Sequence, residues 1–214
     1  MEMLTLDDIF PGKMTTVPSN SEPAWEPTLD AYHPTLVKAA AEAAKFVAEM
    51  RAGARPRWLT ITGLTGTGKT MLARQIHAQA QSLNPGNASL WMGPTRRPRC
   101  VWLPETRFAD AIMEDCRYPE YLADDYLVTL DDLASARERW DRVADAAFRL
   151  ANERLGRWTL WTSNLNVREI GGAMGERLAS RLLRDGNRGV RIEAPDYALI
   201  KPTKTPENTG GPTT

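Results

Sequence analysis

A chain of 214 residues with 42% hydrophobic and 25% charged residues can bury one substantial core, which excludes fibrous and broadly disordered classes. No window approaches the roughly 18 apolar residues that span a bilayer, and the acidic start MEMLTLDDIF is unlike a signal peptide, so a soluble, cytoplasmic protein without a membrane partner is expected. Lys plus Arg equals Asp plus Glu at 27 each, so any argument for nucleic-acid binding has to come from a local cluster rather than from global charge.

Residues 1–33 read as an N-terminal arm or linker, because Pro11, Pro18, Pro23 and Pro27 stand among Ser, Thr and Asn. Within it Leu4, Leu6, Ile9 and Phe10 form a short apolar group that either docks a partner or folds back on the core. Residues 34–200 read as the folded domain, and 201–214 as a flexible tail with nothing apolar to dock it. The domain opens with Leu36, Val37, Ala40, Ala44, Val47 and Met50 at helical spacing, between Pro34 in the first turn and Gly53 at the stop. The runs WLTIT (58–62), CVWL (100–103), YLVTL (126–130), WTLWT (158–162) and GVRIE (189–193) predict five buried strands. Helical stretches separate them: Met71, Leu72, Gln75, Ile76 and Gln79 make one stripe, and Trp140, Val143, Ala144, Ala147, Leu150 and Ala151 another within 135–155. Such alternation predicts an α/β fold, a parallel sheet with helices on both faces.

Between the first strand and its helix lies Gly63-Leu64-Thr65-Gly66-Thr67-Gly68-Lys69-Thr70, followed by Met71. Phosphate oxygens need several N–H donors converging on one point, and glycines at 63, 66 and 68 let the backbone curl and approach closely. Lys69 supplies a charge for the β- and γ-phosphates and the Thr70 hydroxyl is placed to ligate Mg²⁺, so ATP with Mg²⁺ is the expected cofactor. The third run ends in Asp131-Asp132, and in a parallel sheet the carboxyl ends of the strands share one ligand edge with the glycine loop. Asp131 is the expected metal ligand and Asp132 the group that orients and deprotonates attacking water. Asn164, emerging from the fourth strand, either holds that water and the γ-phosphate or caps a turn.

Arg177 and Arg181 stand four apart in the segment 175–188, on one face of a helix. They either stabilise the charge of phosphoryl transfer or form a solvated face pairing with Glu176 and Asp185. Trp58, Trp158 and Trp161 are expected in the core, while Trp91 with Arg96, Arg97 and Arg99 forms a basic aromatic loop that tracks a phosphate backbone or is simply solvated. Cys100 and Cys116 have neither disulfide nor zinc spacing and are expected to be small buried residues. His33 and His77 are expected at the surface or at caps.

Taken together, Gly63 to Thr70, Asp131-Asp132, Thr162-Ser163-Asn164-Leu165, Gly175-Glu176-Arg177-Leu178-Ala179-Ser180-Arg181-Leu182 and Pro195-Asp196-Tyr197 resemble the DnaC/IstB-like branch of the AAA+ ATPases. The resemblance spans roughly residues 34–200 and implies a three-layer αβα P-loop AAA+ core without a C-terminal helical lid. It implies ATP and Mg²⁺, head-to-tail self-assembly, and work on single-stranded DNA with a DnaB-like replicative helicase or, in the IstB-like alternative, with a transposase. By position it makes Lys69 and Thr70 the Walker A residues, Asp131 and Asp132 the Walker B pair, Asn164 sensor 1, and Arg181 an arginine finger helped by Arg177. Asp132 departs from the Glu of many AAA+ proteins, which implies slow turnover. A small-molecule kinase and a nucleotide-gated assembly module with little turnover are the rival readings.

Overall fold

The computed structural model describes residues 24–29, 33–84, 99–135 and 140–200. The apolar group of Leu4, Leu6, Ile9 and Phe10, the loop around Trp91, Arg96 and Arg97, and the tail 201–214 lie outside the described residues. All five strands form where apolar and β-branched runs predict them: β1 Trp58–Gly63, β2 Cys100–Pro104, β3 Leu127–Leu133, β4 Trp158–Ser163 and β5 Arg188–Ile192. They make one parallel sheet in the order β2-β3-β4-β1-β5.

Alternating side chains along each strand feed two separate cores, as a sheet covered on both faces requires. On one face Leu59, Ile61, Leu160 and Val190 meet α1 (Pro34–Arg51) and α2 (Lys69–Leu83). On the other, Trp58, Val128, Leu130 and Trp161 meet α3 (Glu105–Glu114), the single turn α4 (Tyr118–Tyr121), α5 (Trp140–Glu153), α6 (Val167–Met174) and α7 (Glu176–Leu183). Past β5 comes one further turn, α8 (Tyr197–Ile200). Among the described residues no helix is long and apolar enough to cross a membrane.

Several sequence expectations are corrected. Helix α1 buries Leu36, Ala39, Ala43, Phe46, Val47 and Met50, whereas Val37 is 52% exposed. Alanines on nearly every side of this helix make apolar spacing a poor guide to which face is inward. Helix α2 likewise buries Leu72, Ala73, Ile76, His77 and Ala80 and leaves Met71 exposed. His77 is thus in the core, its Nδ1 3.0 Å from Thr129 Oγ1, while His33 does cap α1, accepting from the Thr35 amide. Cys116 is exposed and Cys100 half-buried. Residues 24–29, counted with the arm on sequence, lie against the core: Trp25 and Leu29 pack on it, and the Thr28 backbone exchanges two hydrogen bonds with the Gln75 side chain.

One buried cation sets the far edge of the sheet. Arg154, fully buried at the end of α5, donates to the carbonyls of Leu122 (2.9 Å), Ala123 (3.1 Å), Asp125 and Trp158, and to Thr159 Oγ1. It thereby ties the turn leading into β3 to the start of β4, the two strands that carry the acidic pair and Asn164. Burial pushes its pKa down to about 9, opposed by the Asp125 carboxylate, so the guanidinium stays charged at neutral pH. Replacing it with leucine strands several buried carbonyls. Arg154→Leu is expected to lower stability in urea unfolding by about 3–5 kcal/mol. By contrast Arg157→Leu, which breaks only the exposed pair with Asp124, is expected to cost less than about 1 kcal/mol.

Candidate nucleotide site

The glycine loop follows β1 and ends at the first turn of α2. Two of its glycines are sterically required. Gly63 has φ 152 and a Cβ there would run into the Ile192 carbonyl of β5; Gly66 has φ 76 and a Cβ there would occupy the place of the Asp196 carboxyl. The segment after β5 therefore closes over the loop, with the Tyr197 amide donating to the Gly66 carbonyl at 3.1 Å. Inside the loop Thr67 Oγ1 donates to the Leu64 carbonyl at 2.8 Å.

Lys69 points along the sheet edge. Its ammonium donates to the Leu64 carbonyl at 2.7 Å and to Asn164 Oδ1 at 2.8 Å. The Asn164 amide donates in turn to Asp132 Oδ1 at 2.7 Å, so one neutral side chain joins the cation to the carboxylate. Burial lowers the Lys69 pKa, with Asp132 and Asp131 opposing. Burial, then the neighbouring Asp131, raises that of Asp132, with Lys69 opposing. In both groups partial burial works against the charged form and the opposite charge across Asn164 works for it.

The acidic pair owes its geometry to an irregularity that sequence does not display. In a regular strand Asp131 and Asp132 would point to opposite faces. Leu130 pairs with Trp161 but Leu133 pairs with Ser163, so β3 carries one extra residue between them, a β-bulge. Asp132 sits in it at φ 63, a left-handed conformation that aspartate tolerates better than most residues. The bulge turns both carboxylates into one cavity.

That cavity, about 630 Å³, is lined by Thr65 to Met71, by Asp131, Asp132 and Asn164, and by Thr28, Leu29, Leu36 and Tyr197. Its volume suits a ligand of nucleotide size. The first ten are the residues that loop chemistry and strand ends single out; Gly63 acts behind them as a spacer against β5. The sequence gives no site role to Thr28, Leu29, Leu36 or Tyr197: the first two lie in a proline-rich arm that gives no sign of packing, and the others read only as part of a helix and of the closing segment.

Thr70 Oγ1 lies 3.1 Å from Asp131 Oδ1, a pair of hard oxygens beside the Lys69 ammonium. Among the described residues no three His, Cys, Asp or Glu gather into a metal cage. A small donor set of this kind suits Mg²⁺, which keeps most of its water and takes one or two protein oxygens together with substrate phosphates.

Arg177 is exposed and Arg181 half-buried on α7, and neither lines the cavity. The Arg181 carbonyl accepts from Asn187 Nδ2, whose Oδ1 accepts from the amide of Trp58 at the start of β1. The glycine loop leaves the other end of β1, so the Arg181 backbone is anchored at the strand end away from the loop.

A scan against family models and a search of curated proteins both return no match. Solved structures do match. A DnaC helicase loader superposes with TM-score 0.57 at 20% identity, covering 79% of this chain and 98% of that one. DnaI gives 0.57 at 21% identity over 78% and 87%. The replication initiator DnaA bound to AMPPCP and single-stranded DNA gives 0.54 at 22% identity over 72% of this chain and 46% of that one. The chain thus has the α/β fold of these DnaC, DnaI and DnaA structures.

Proposed function

We propose that the protein is an ATPase of the helicase-loader kind, using ATP binding and hydrolysis to change its hold on a replicative helicase and on single-stranded DNA. The observation that carries the ATPase reading is the Lys69–Asn164–Asp132 chain running beside the Thr70–Asp131 pair within one cavity. The loader reading is supported by the likeness to DnaC and DnaI, and the DNA reading by DnaA, whose structure holds single-stranded DNA and a nucleotide analogue.

In this reading the loop amides and Lys69 bind the β- and γ-phosphates, and Leu29 and Leu36 give the base an apolar seat. Thr70 and Asp131 would hold Mg²⁺, which would supply neutralisation of the phosphate charge. Asn164 orients a water toward the γ-phosphorus while Asp132 takes its proton; the new P–O bond forms as the bridging bond to the β-phosphate breaks, giving ADP and phosphate. That neither Arg181 nor Arg177 lines the cavity of its own chain supports their acting on the nucleotide of a neighbouring subunit assembled head to tail.

Lys69→Ala is expected to weaken ATP binding at least tenfold, the loss of one charged hydrogen-bonding group, with the far-ultraviolet circular dichroism unchanged. Asparagine tolerates the left-handed backbone of position 132 as aspartate does, so Asp132→Asn is expected to fold, to bind ATP, and to hydrolyse it about 10²- to 10⁴-fold more slowly in a phosphate-release assay. Arg181→Ala is expected to reduce turnover about 10³-fold. Mixing it with Lys69→Ala is expected to restore part of the ATPase, because an intact pocket then meets an intact arginine across an interface. Mixtures as inactive as the separate variants, under conditions where the parent hydrolyses cooperatively with concentration, would remove Arg181 from that role.

A further inference from the structure

Thr162 is the penultimate residue of β4 and is fully buried. Its hydroxyl donates to Asp131 Oδ1 at 2.6 Å and accepts from the backbone amide of Asp132 at 2.8 Å. A hydroxyl has one proton, and here it is committed to the Asp131 carboxylate; a lone pair is committed to the bulge. The same Oδ1 also accepts from Thr70 Oγ1 at 3.1 Å. Thr162 therefore fixes in one stroke the rotation of the Asp131 carboxylate and the backbone of the next residue, whose φ of 63 needs outside support.

We propose that Thr162 is a positioning residue of the site: its hydroxyl holds Asp131 in the orientation that receives Mg²⁺ while pinning the bulge that aims Asp132. A group that orients a metal-binding carboxylate from behind acts on metal affinity through that carboxylate, because the cation tolerates little deviation in the direction of its ligand. The loss is also unequal between the two tasks of the cavity. Phosphate binding rests on the loop amides and Lys69, none of which Thr162 touches, so removing the hydroxyl should spare metal-free nucleotide binding and strike the metal-dependent part.

The inference rests on the ATPase reading above. It is tested on the full chain with Thr162→Val, which keeps the volume and deletes the hydroxyl, Thr162→Ala, which deletes it and leaves room for water, and Thr162→Ser, which restores it. Thr60→Val serves as the matched control, since Thr60 is equally buried in neighbouring β1 and its Oγ1 meets no hydrogen-bond partner among the described residues. A fluorescent ATP analogue is titrated in EDTA and again across a Mg²⁺ series, and phosphate release is followed at saturating Mg²⁺.

For Thr162→Val and Thr162→Ala the expected result is an affinity in EDTA within about twofold of the parent, a Mg²⁺ requirement raised about 10- to 100-fold, and a comparable fall in turnover. Thr162→Ser is expected to recover most of both losses and Thr60→Val to show neither. Should the valine variant not fold, the alanine variant is read by the same criteria. A folded hydroxyl-free variant with the parent's Mg²⁺ dependence overturns the proposal, as does a serine variant no better than valine, or a Thr60→Val variant that loses as much. A parent that binds no nucleotide with or without Mg²⁺ overturns the ATPase reading itself, a result visible before any Thr162 variant is compared.

Discussion

The one-residue bulge near the end of β3 is the constraint on which the site depends. Two adjacent residues of a regular strand cannot serve the same cavity, because successive side chains leave opposite faces of the pleat. Inserting one residue between Leu130 and Leu133 breaks that alternation where it has to be broken and delivers Asp131 and Asp132 together. Everything else at the sheet edge is arranged around this turn. The Thr162 hydroxyl meets it from β4, Ser163 Oγ donates to the Leu133 carbonyl at 2.6 Å, and the buried Glu105 carboxylate accepts from both the amide and the hydroxyl of Ser135 just beyond.

A strained turn of this sort persists only if its surroundings over-determine it. Two left-handed non-glycine residues, Asp132 and Ala134, fall within three positions, and each is followed by a side-chain or backbone anchor to a neighbouring element. At the opposite ends of these two strands Arg154 joins the turn before β3 to the start of β4. Folding energetics and site geometry thus meet on the same strands: a guanidinium satisfied by backbone carbonyls at one end, and at the other an Asp131 carboxylate held by two hydroxyls beside an Asp132 carboxylate held by the Asn164 amide.

Much of this is legible in the sequence because it is periodic or punctuated. The five strands announce themselves as short runs of β-branched and aromatic residues, and the glycine loop is fixed by its spacing between strand and helix. The carboxylates and Asn164 follow, since parallel strands bring their carboxyl ends to one edge. What stays hidden is whatever depends on three-dimensional register. The bulge leaves no compositional trace, and Thr162 looks like any β-branched strand residue until its partners are known. Alanine-rich α1 conceals its inward face for lack of contrast between sides. Thr28 and Leu29 lie in a proline-rich stretch whose composition argues against regular structure but says nothing against docking, and Trp25 beside them shows that an irregular segment can still bury an aromatic ring.

The steric setting of Gly63 separates two kinds of information that the loop's motif combines. Its missing Cβ is demanded by the Ile192 carbonyl of β5, a backbone atom of the sheet. Lys69 and Thr70, in contrast, face the cavity. A descendant of this chain that put the cavity to another use would be free to lose the lysine and the threonine, yet it would have to retain the glycine for β1 and β5 to stay paired. In such a descendant the first letter of the motif would outlive the rest, recording the architecture of the sheet long after the chemistry had gone.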